Sequence, residues 1–486
     1  MSTPQQENRP VVVIGAGPIG LAAAAHLLER GLEPLVLEAG SGAGAAIREW
    51  GHVRLFSPWE YDTDPAARRL LEPTGWTAPP ADELPTGAEL VDAYLAPLAA
   101  TGQLAPRIRT DTRVIAVARR GVDKTHTIDR DTHPLFVRVL DADGRARDIE
   151  ARAVIDASGT WGRPNPLGHS GLLAPGESEA ASYITGALPD VLGRDRDRFA
   201  DRHTLVVGMG HSAANTLLAL VELAEAAPDT RITWAVRGPS PARLYGGGDA
   251  DGLPARGALG SRVKQAVEAG AITLVRSFTI TGFAPAQEGV TVVGATPDGR
   301  REITVDTVVA ATGFRPETDM LREVRVALDP GTEAPVRLAP MIDPDFHSCG
   351  TVPPHGEREL AHPEAGFYIV GTKSYGRAPT FLMATGYEQV RSIAAALAGD
   401  RESADAVHLE LPETGVCSTS LPGEDEAGGC GSTCAPEPAV REASRRETAV
   451  APSCCGTAAP EPVTIGGVGF ATERLHGHSG DAERDV

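Results

Sequence analysis

Four consecutive β-branched residues, Val11, Val12, Val13 and Ile14, open the patterned part of the chain. An apolar run of this length without alternation reads as a strand buried on both faces. The Ala/Leu-rich segment up to about Arg30 reads as a helix closed by Gly31, and Leu35–Leu37 as a second strand ending at Glu38. Residues 50–105 lose the pattern and carry many Pro and Trp residues, which predicts short helices and loops. Alternation returns in 111–150, as strands around the turn Asp141–Gly144. The βαβ pattern then recurs, with a strand over His203–Val207, a turn over Gly208–Gly210, a helix over His211–Ala226 and a strand over Arg231–Val236 that runs into Arg237. Further strands are predicted in 272–304. Two segments, Arg152–Pro164 and Thr307–Pro316, repeat a strand that ends in a small-residue turn. Gly366–Asp400 reads as a strand, a Gly/Pro loop and an amphipathic helix. From about residue 401 periodicity disappears while Pro, Gly, Ser, Glu and Ala dominate, which predicts a disordered tail.

Two βαβ units in one chain predict an α/β fold with two Rossmann-like dinucleotide-binding domains. The pattern places the first part of one domain in residues 1–172, a second domain inserted into it over 173–304, the remainder of the first over 305–400, and the tail over 401–486. The length of 486 residues agrees with two or three domains.

Charge narrows the partners. With 45 Lys+Arg against 65 Asp+Glu the net charge is −20, which excludes nucleic acid and anionic membrane surfaces as general partners. The tail holds 15 acids against 6 arginines and so contributes −9 of that total. No apolar run approaches the roughly 20 residues needed to span a bilayer. The polar N-terminus MSTPQQENRP lacks the basic-then-apolar order of a signal peptide, so the cytoplasm is the expected location.

The first turn, Gly15-Ala16-Gly17-Pro18-Ile19-Gly20, is a G-x-G-x-x-G set between a buried strand and an Ala-rich helix. In that setting Gly15 permits the tight turn, Gly17 lets a pyrophosphate touch the backbone, and Gly20 lets helix and strand pack closely. The phosphates would meet free N–H groups at the helix N-terminus next to Pro18, and Glu38 would accept hydrogen bonds from ribose hydroxyls. In the second unit Gly208, Gly210 and Ser212 take these places, with Ala213 as the third small residue. Its second strand ends at Arg237 rather than at an acid, which suits a 2′-phosphate and favours NADPH over NADH. Two dinucleotides in one chain serve a purpose if one is FAD, at the first site, and the other is NADPH, at the second, so that a hydride passes from nicotinamide to flavin. The turns Asp156-Ala157-Ser158-Gly159 and Ala311-Thr312-Gly313 then read as crossovers between domains, with Gly159 and Gly313 beside the cofactors.

The combination of GAGPIG, GMGHSA, the ASG and ATGFRP turns and their spacing resembles the two-dinucleotide-binding-domain flavoproteins over about residues 10–400, and among them the flavin-containing and N-hydroxylating monooxygenases. The resemblance implies FAD and NADPH as cofactors and a small-molecule substrate with O2. Where disulfide-reductase relatives carry a Gly-Asp pair on the last flavin strand, this chain reads Gly371-Thr372-Lys373, and Lys373 is expected either to meet the pyrophosphate or to stand as a solvated loop cation.

Reduced flavin can pass electrons to a disulfide, to an external acceptor or to O2. Residues 41–60 and 171–304 contain no cysteine, which excludes a flavin-facing dithiol and leaves oxygen as the expected acceptor. The expected reaction is monooxygenation of a small soft nucleophile. Arg54, Ser57, Trp59 and the loop Tyr375–Phe381 are candidates either for the pocket lining or for packing, and no side chain reads as catalytic. Only Cys349 precedes residue 400; Cys417, Cys430, Cys434, Cys454 and Cys455 crowd into the tail. Their thiolates are soft ligands for metalloids, and no Cys/His set has zinc-finger spacing, so no structural metal site is expected. The cysteine-bearing tail is similar to that of mercuric reductase. The segments GFYIVGTKSYGRAPTF and LPETGVC resemble the flavoprotein monooxygenase-like proteins of bacterial arsenic-resistance operons, which implies a trivalent arsenical as substrate and puts Cys430, Cys434, Cys454 and Cys455 forward as metalloid-binding thiols. Two alternatives stay open: an NADPH-dependent reductase of a metal, metalloid or quinone whose tail thiols bind the acceptor, and a non-catalytic redox-sensing flavoprotein.

Overall fold

Successive residues of β1 (Val11–Ile14) serve two cores: Val11 and Val13 pack into one apolar cluster, Val12 and Ile14 into another. That division is why the strand tolerates no polar position. The computed structural model describes residues 9–246, 251, 253–344, 352–378 and 381–409, all within one unit, Met1–Leu421. The six cysteines, and with them the expected metalloid-binding thiols, lie outside the described residues.

From β1 the chain enters α1 (Pro18–Glu29), whose small residues Ala22–Ala25 are fully buried, and returns in β2 (Pro34–Leu37), parallel to β1. The edge strand β3 (Ile108–Arg109) follows after the irregular region. That region holds short helices, one of them opened by a capping box in which Glu89 N–H donates to Thr86 Oγ1 (3.2 Å) and Thr86 N–H to Glu89 Oε2 (2.7 Å). Strands β4 (Arg113–Arg119), β5 (Leu135–Leu140) and β6 (Ala146–Ala151) form an antiparallel sheet, with Gly144 N–H closing the expected turn onto Asp141 O at 2.8 Å. Its apolar face, Val117, Leu135, Val137 and Val139, covers Val12 and Ile14. The chain then re-enters the first sheet as β7 (Ala153–Asp156).

The second βαβ unit consists of β8 (Ile184–Thr185), β9 (His203–Val207), α2 (His211–Ala226), β10 (Arg231–Ala235), α3 (Pro254–Glu268) and β11 (Thr273–Val275). Three antiparallel strands follow, β12 (Thr279–Pro285), β13 (Val290–Thr296) and β14 (Gly299–Val305), and then β15 (Thr307–Ala310). Finally β16 (Phe367–Ile369) and α4 (Met383–Leu397) complete the first lobe. The two parallel sheets have the orders β16-β7-β1-β2-β3 and β11-β10-β9-β15-β8.

This topology moves the expected domain boundaries. The segment 305–400 was expected wholly in the first domain, yet β15 pairs with β9 and β8 inside the second sheet. The two lobes are joined where the chain crosses between them: Pro164 bridges Phe314 in antiparallel fashion, and Asn165 N–H donates to Gly313 O at 2.9 Å. The second lobe therefore spans about residues 165–313, because the strands obey sheet pairing rather than the ends of the alternating pattern.

Two groups make the stability of the first lobe depend on charge, the buried Glu364 and the partly buried His362. Glu364, 1% exposed, accepts from Arg119 Nε (2.7 Å), from Arg130 Nη2 (2.9 Å) and from the Arg325 N–H (3.0 Å). Burial alone would raise its carboxyl, but the Arg130 and Arg119 guanidiniums outweigh burial and hold it below the usual range. Nearby, His362 Nδ1 accepts from the Ala327 N–H at 3.3 Å while its buried Nε2 has no partner among the described residues. Burial pushes this imidazole down to about 4. Because the unfolded chain takes up that proton near pH 6.5, stability from His362 is present above that pH and is lost as pH falls toward 4. The loss amounts to as much as about 3 kcal/mol. His362→Gln is expected to flatten the urea-unfolding profile between pH 6.5 and 4.

Candidate functional site

Both βαβ turns are built alike. Gly15 has φ +100, and a Cβ there would lie 2.9 Å from Ala157 O; a Cβ on Gly20 would lie 2.0 Å from Gly15 O. A Cβ on Gly17 would meet nothing within 4 Å, so the middle glycine leaves open backbone where the outer two are closed by packing. The second turn repeats this: Gly208 has φ +128 and a Cβ 2.0 Å from Ala311 O, whereas Gly210 faces open space. The third small residue, Ala213, is fully buried. The first glycine of each turn thus rests on the small-residue turn of its own crossover, Ala157 in one lobe and Ala311 in the other.

Helices α1 and α2 begin at Gly17 and Gly210 with no side-chain cap and no acid in the first turn. Their first N–H groups are left for an external acceptor, and the helix dipole selects an anion. Pro18 occupies the first helical position of α1, where its missing N–H costs nothing. Ser212 lies in the first turn of α2. A dinucleotide would fit both turns: the open glycine would admit its pyrophosphate, and the first N–H groups, uncapped by any side chain among the described residues, would meet it.

Glu38, directly after β2, accepts from the Ala16 N–H (2.7 Å) and from the Gly40 N–H (2.7 Å), one bond on each carboxylate oxygen. It is half-buried, and each oxygen retains a further lone pair for a ribose hydroxyl. Arg237 stands exposed just past β10. Gly159 (φ +69) and Gly313 (φ +83) occupy the crossover turns, and Gly371 (φ +66) follows β16 with its N–H donating to Gln389 Oε1 at 2.8 Å.

Several expected placements change. Lys373 is neither a pyrophosphate ligand nor a solvated cation. Its side chain is 0% exposed, and Nζ donates to Asp156 Oδ2 (2.7 Å) and Ser158 Oγ (3.1 Å). Trp59, 5% exposed, is part of the first core, and Tyr375 is equally enclosed, its ring 5.2 Å from Phe381. Arg54 donates to Leu84 O and pairs with Glu89 at 3.8 Å. Ser57 is buried and donates to Asp62 Oδ1 at 2.7 Å.

That last bond exposes a group the sequence did not signal. Asp62 is 1% exposed, its Oδ2 has no partner among the described residues, and burial pushes the carboxyl up to about 7. Stability held by the neutral acid is present below the ordinary value near 3.8 and is lost as pH rises to 7, a cost reaching about 4 kcal/mol. Asp62→Asn removes the ionisation but keeps an unpaired buried amide worth about 2 kcal/mol. The variant is expected to be about 2 kcal/mol more stable than its parent at pH 8 and no more stable at pH 4, measured by urea unfolding.

Where the lobes meet, aromatic rings line both sides. The Phe56 ring lies 5.0 Å from His211 at the start of α2, and Trp161 lies 4.9 Å from Phe314 and 6.4 Å from Trp50. Trp161 Nε1 donates to Glu49 Oε2 (2.7 Å), and Arg194 Nη2 to Glu49 O (3.2 Å). The Phe56 ring thus packs against the first turn of α2, and Trp161 and Arg194 anchor Glu49 beside it. None of them had a sequence signal, since each depends on how the lobes pack.

The family model described as pyridine nucleotide-disulphide oxidoreductase matches residues 12–338. The chain belongs to this family. Its members' double dinucleotide fold accounts for both glycine turns and both crossovers, and the chain is accordingly a flavin-dependent oxidoreductase using FAD and a pyridine nucleotide. No curated protein matches the sequence. Among solved structures, the chain is similar to the bacillithiol disulfide reductase Bdr (YpdA) from Bacillus cereus, with TM-score 0.60 and 20% identity, covering 80% of this chain and 99% of that one. It is also similar to the ornithine N-hydroxylase KtzI from Kutzneria sp. 744, with TM-score 0.56 and 17% identity over 81% and 99%. A flavin monooxygenase from Stenotrophomonas maltophilia matches with TM-score 0.52 and 22% identity over 80% and 98%. These likenesses establish the shared fold, which serves both disulfide reduction and oxygenation. Among the described residues no helix is long and apolar enough to cross a membrane, and no His/Cys/Asp/Glu cluster could hold a metal.

Proposed function

We propose that the chain is an NADPH-dependent FAD monooxygenase of a small soft nucleophile, with trivalent arsenicals as the first substrates to test. The observation that carries this reading is the lack of any cysteine in residues 1–348. A family member that reduces a disulfide through its own dithiol needs that pair within the fold, and this chain has none to offer from either lobe. Oxygen is the acceptor that needs no further side chain.

In this reading FAD lies on the first turn and NADPH on the second. When bound, FAD supplies the redox chemistry, taking a hydride from NADPH and passing electrons to oxygen. The protein's own part is orientation and exclusion of water. The N–H groups of α1 and α2 hold the two pyrophosphates through Gly17 and Gly210, Glu38 accepts a ribose hydroxyl, and Arg237 meets the 2′-phosphate. The rings of Phe56, His211, Trp161 and Phe314 screen the junction between the sites. Buried Tyr375 and Trp59 support the walls.

The test is a measurement of stoichiometry with purified flavoprotein. One O2 consumed per NADPH, with oxygenated product formed from arsenite, methylarsenite or an organic sulfide and little peroxide released, supports the proposal. Stoichiometric peroxide with every such compound, together with anaerobic electron transfer to arsenicals, quinones or mercuric ion, replaces it with the reductase reading, and a chain ending at residue 400 then asks whether the tail thiols take part.

A further inference from the structure

Two signals left over from the sequence, one of only three lysines and the acid that opens a crossover turn, meet in the interior of the first lobe. Lys373 and Asp156 form an ion pair at 2.7 Å with both side chains 0% exposed. The pair does not stand alone. Asp156 Oδ1 accepts from Ser158 Oγ (2.6 Å) and from the Ser158 N–H (3.1 Å), while Lys373 Nζ donates to the same Ser158 Oγ at 3.1 Å. Ser158 is therefore held from two sides by opposite charges. We propose that Lys373 is a positioning residue for the flavin dinucleotide: through Asp156 and Ser158 it clamps the Ala157–Gly159 turn against Gly15 and so fixes the floor of the first glycine turn. The proposal rests on the reading of that turn as the FAD site.

The geometry around the pair shows what the clamp controls. Asp156 ends β7, in register with Ile14 of β1 and Ile369 of β16. The Ala157 N–H donates to Ile14 O at 3.0 Å, and Ala157 O lies where a Cβ on Gly15 would touch it. On the other side Gly371, two residues before Lys373, packs against Ile19 in the first turn of α1. The ion pair thus ties the turn under Gly15 to the turn beside Ile19, and the open backbone of Gly17 lies between them in sequence. The second lobe does the same work without charge: Thr312 Oγ1 donates to Asn165 O (2.7 Å), and Asn165 Nδ2 donates to Thr312 O (3.1 Å). A buried ion pair contributes little net stability over an apolar pair of the same shape, whereas removing one partner leaves a stranded charge. That asymmetry separates a role in the fold from a role in positioning.

The experiment compares K373M, the uncharged double variant D156N/K373M, and S158A with the parent, as apoproteins reconstituted with FAD. Thermal melting of the apoprotein, FAD affinity from flavin fluorescence, and the visible circular dichroism of bound flavin are read together, with 2′,5′-ADP affinity as the control at the second site. K373M is expected to melt earlier. The double variant is expected to recover the parent's melting temperature yet bind FAD at least about tenfold more weakly, with an altered flavin dichroism and unchanged 2′,5′-ADP affinity. S158A is expected to follow the double variant. Should the double variant and S158A bind FAD as the parent does, with the same dichroism, the pair serves the fold alone and the proposal falls. A parent that takes up no FAD would instead overturn the reading of the first turn on which it rests.

Discussion

Valine in place of Gly208 is expected to lower kcat/KM for NADPH by about 1000-fold while FAD stays bound. Gly208 holds φ +128, and its Cβ would lie 2.0 Å from Ala311 O. A β-branched residue at that φ costs on the order of 1–3 kcal/mol, roughly one factor of ten or more. The steric contact adds to this, since the turn must retreat by about 1 Å from the crossover, and such a misplacement of a reactant costs about 100-fold. The first turn rests on Ala157 in the other lobe and is untouched. Stopped-flow reduction by NADPH, with the flavin content read from absorbance, checks both halves. Reduction within tenfold of the parent would show that the second turn does not hold the nicotinamide dinucleotide.

The largest expected loss of stability follows Glu364→Ala, at about 3–5 kcal/mol, because Arg119 and Arg130 would be left buried without their carboxylate. Both arginines are nearly fully enclosed, at 5% and 3% exposure. The triple replacement Arg119→Met/Arg130→Met/Glu364→Leu removes every charge together and is expected to return most of that stability. Urea unfolding followed by tryptophan fluorescence measures both. If Glu364→Ala unfolds within about 1 kcal/mol of the parent, water has reached the arginines and the site is not dry.

How far the sequence carried the fold depends on whether a signal is local. Val11–Ile14 declared its burial on two faces because four β-branched residues in a row have no other comfortable setting. Gly15, Gly17 and Gly20 announced distinct roles, and packing leaves no room for a side chain at Gly15 or Gly20 while Gly17 stands open. The boundary near 304 was misplaced because β15 reads as the start of a new motif, while its pairing with β9 is made across a hundred residues. Lys373 was visible as an oddity, but nothing in its neighbourhood names Asp156, 217 positions earlier. The same holds for Phe56 with His211 and for Asn165 with Thr312, contacts that only the packing of two lobes creates. Thr86-x-x-Glu89 is the opposite case, a capping box legible in the sequence inside a stretch otherwise read as irregular.

The paired crossovers carry a consequence for descent. Residue 165 enters the second lobe and residue 313 leaves it within a single hydrogen bond of each other, Asn165 N–H to Gly313 O. A stretch whose two ends touch can be excised, duplicated or exchanged in a gene without severing any strand of the β16-β7-β1-β2-β3 sheet. The second lobe is in this sense a cassette that recombination can exchange, whereas the first lobe is threaded from β1 to α4 around that insertion.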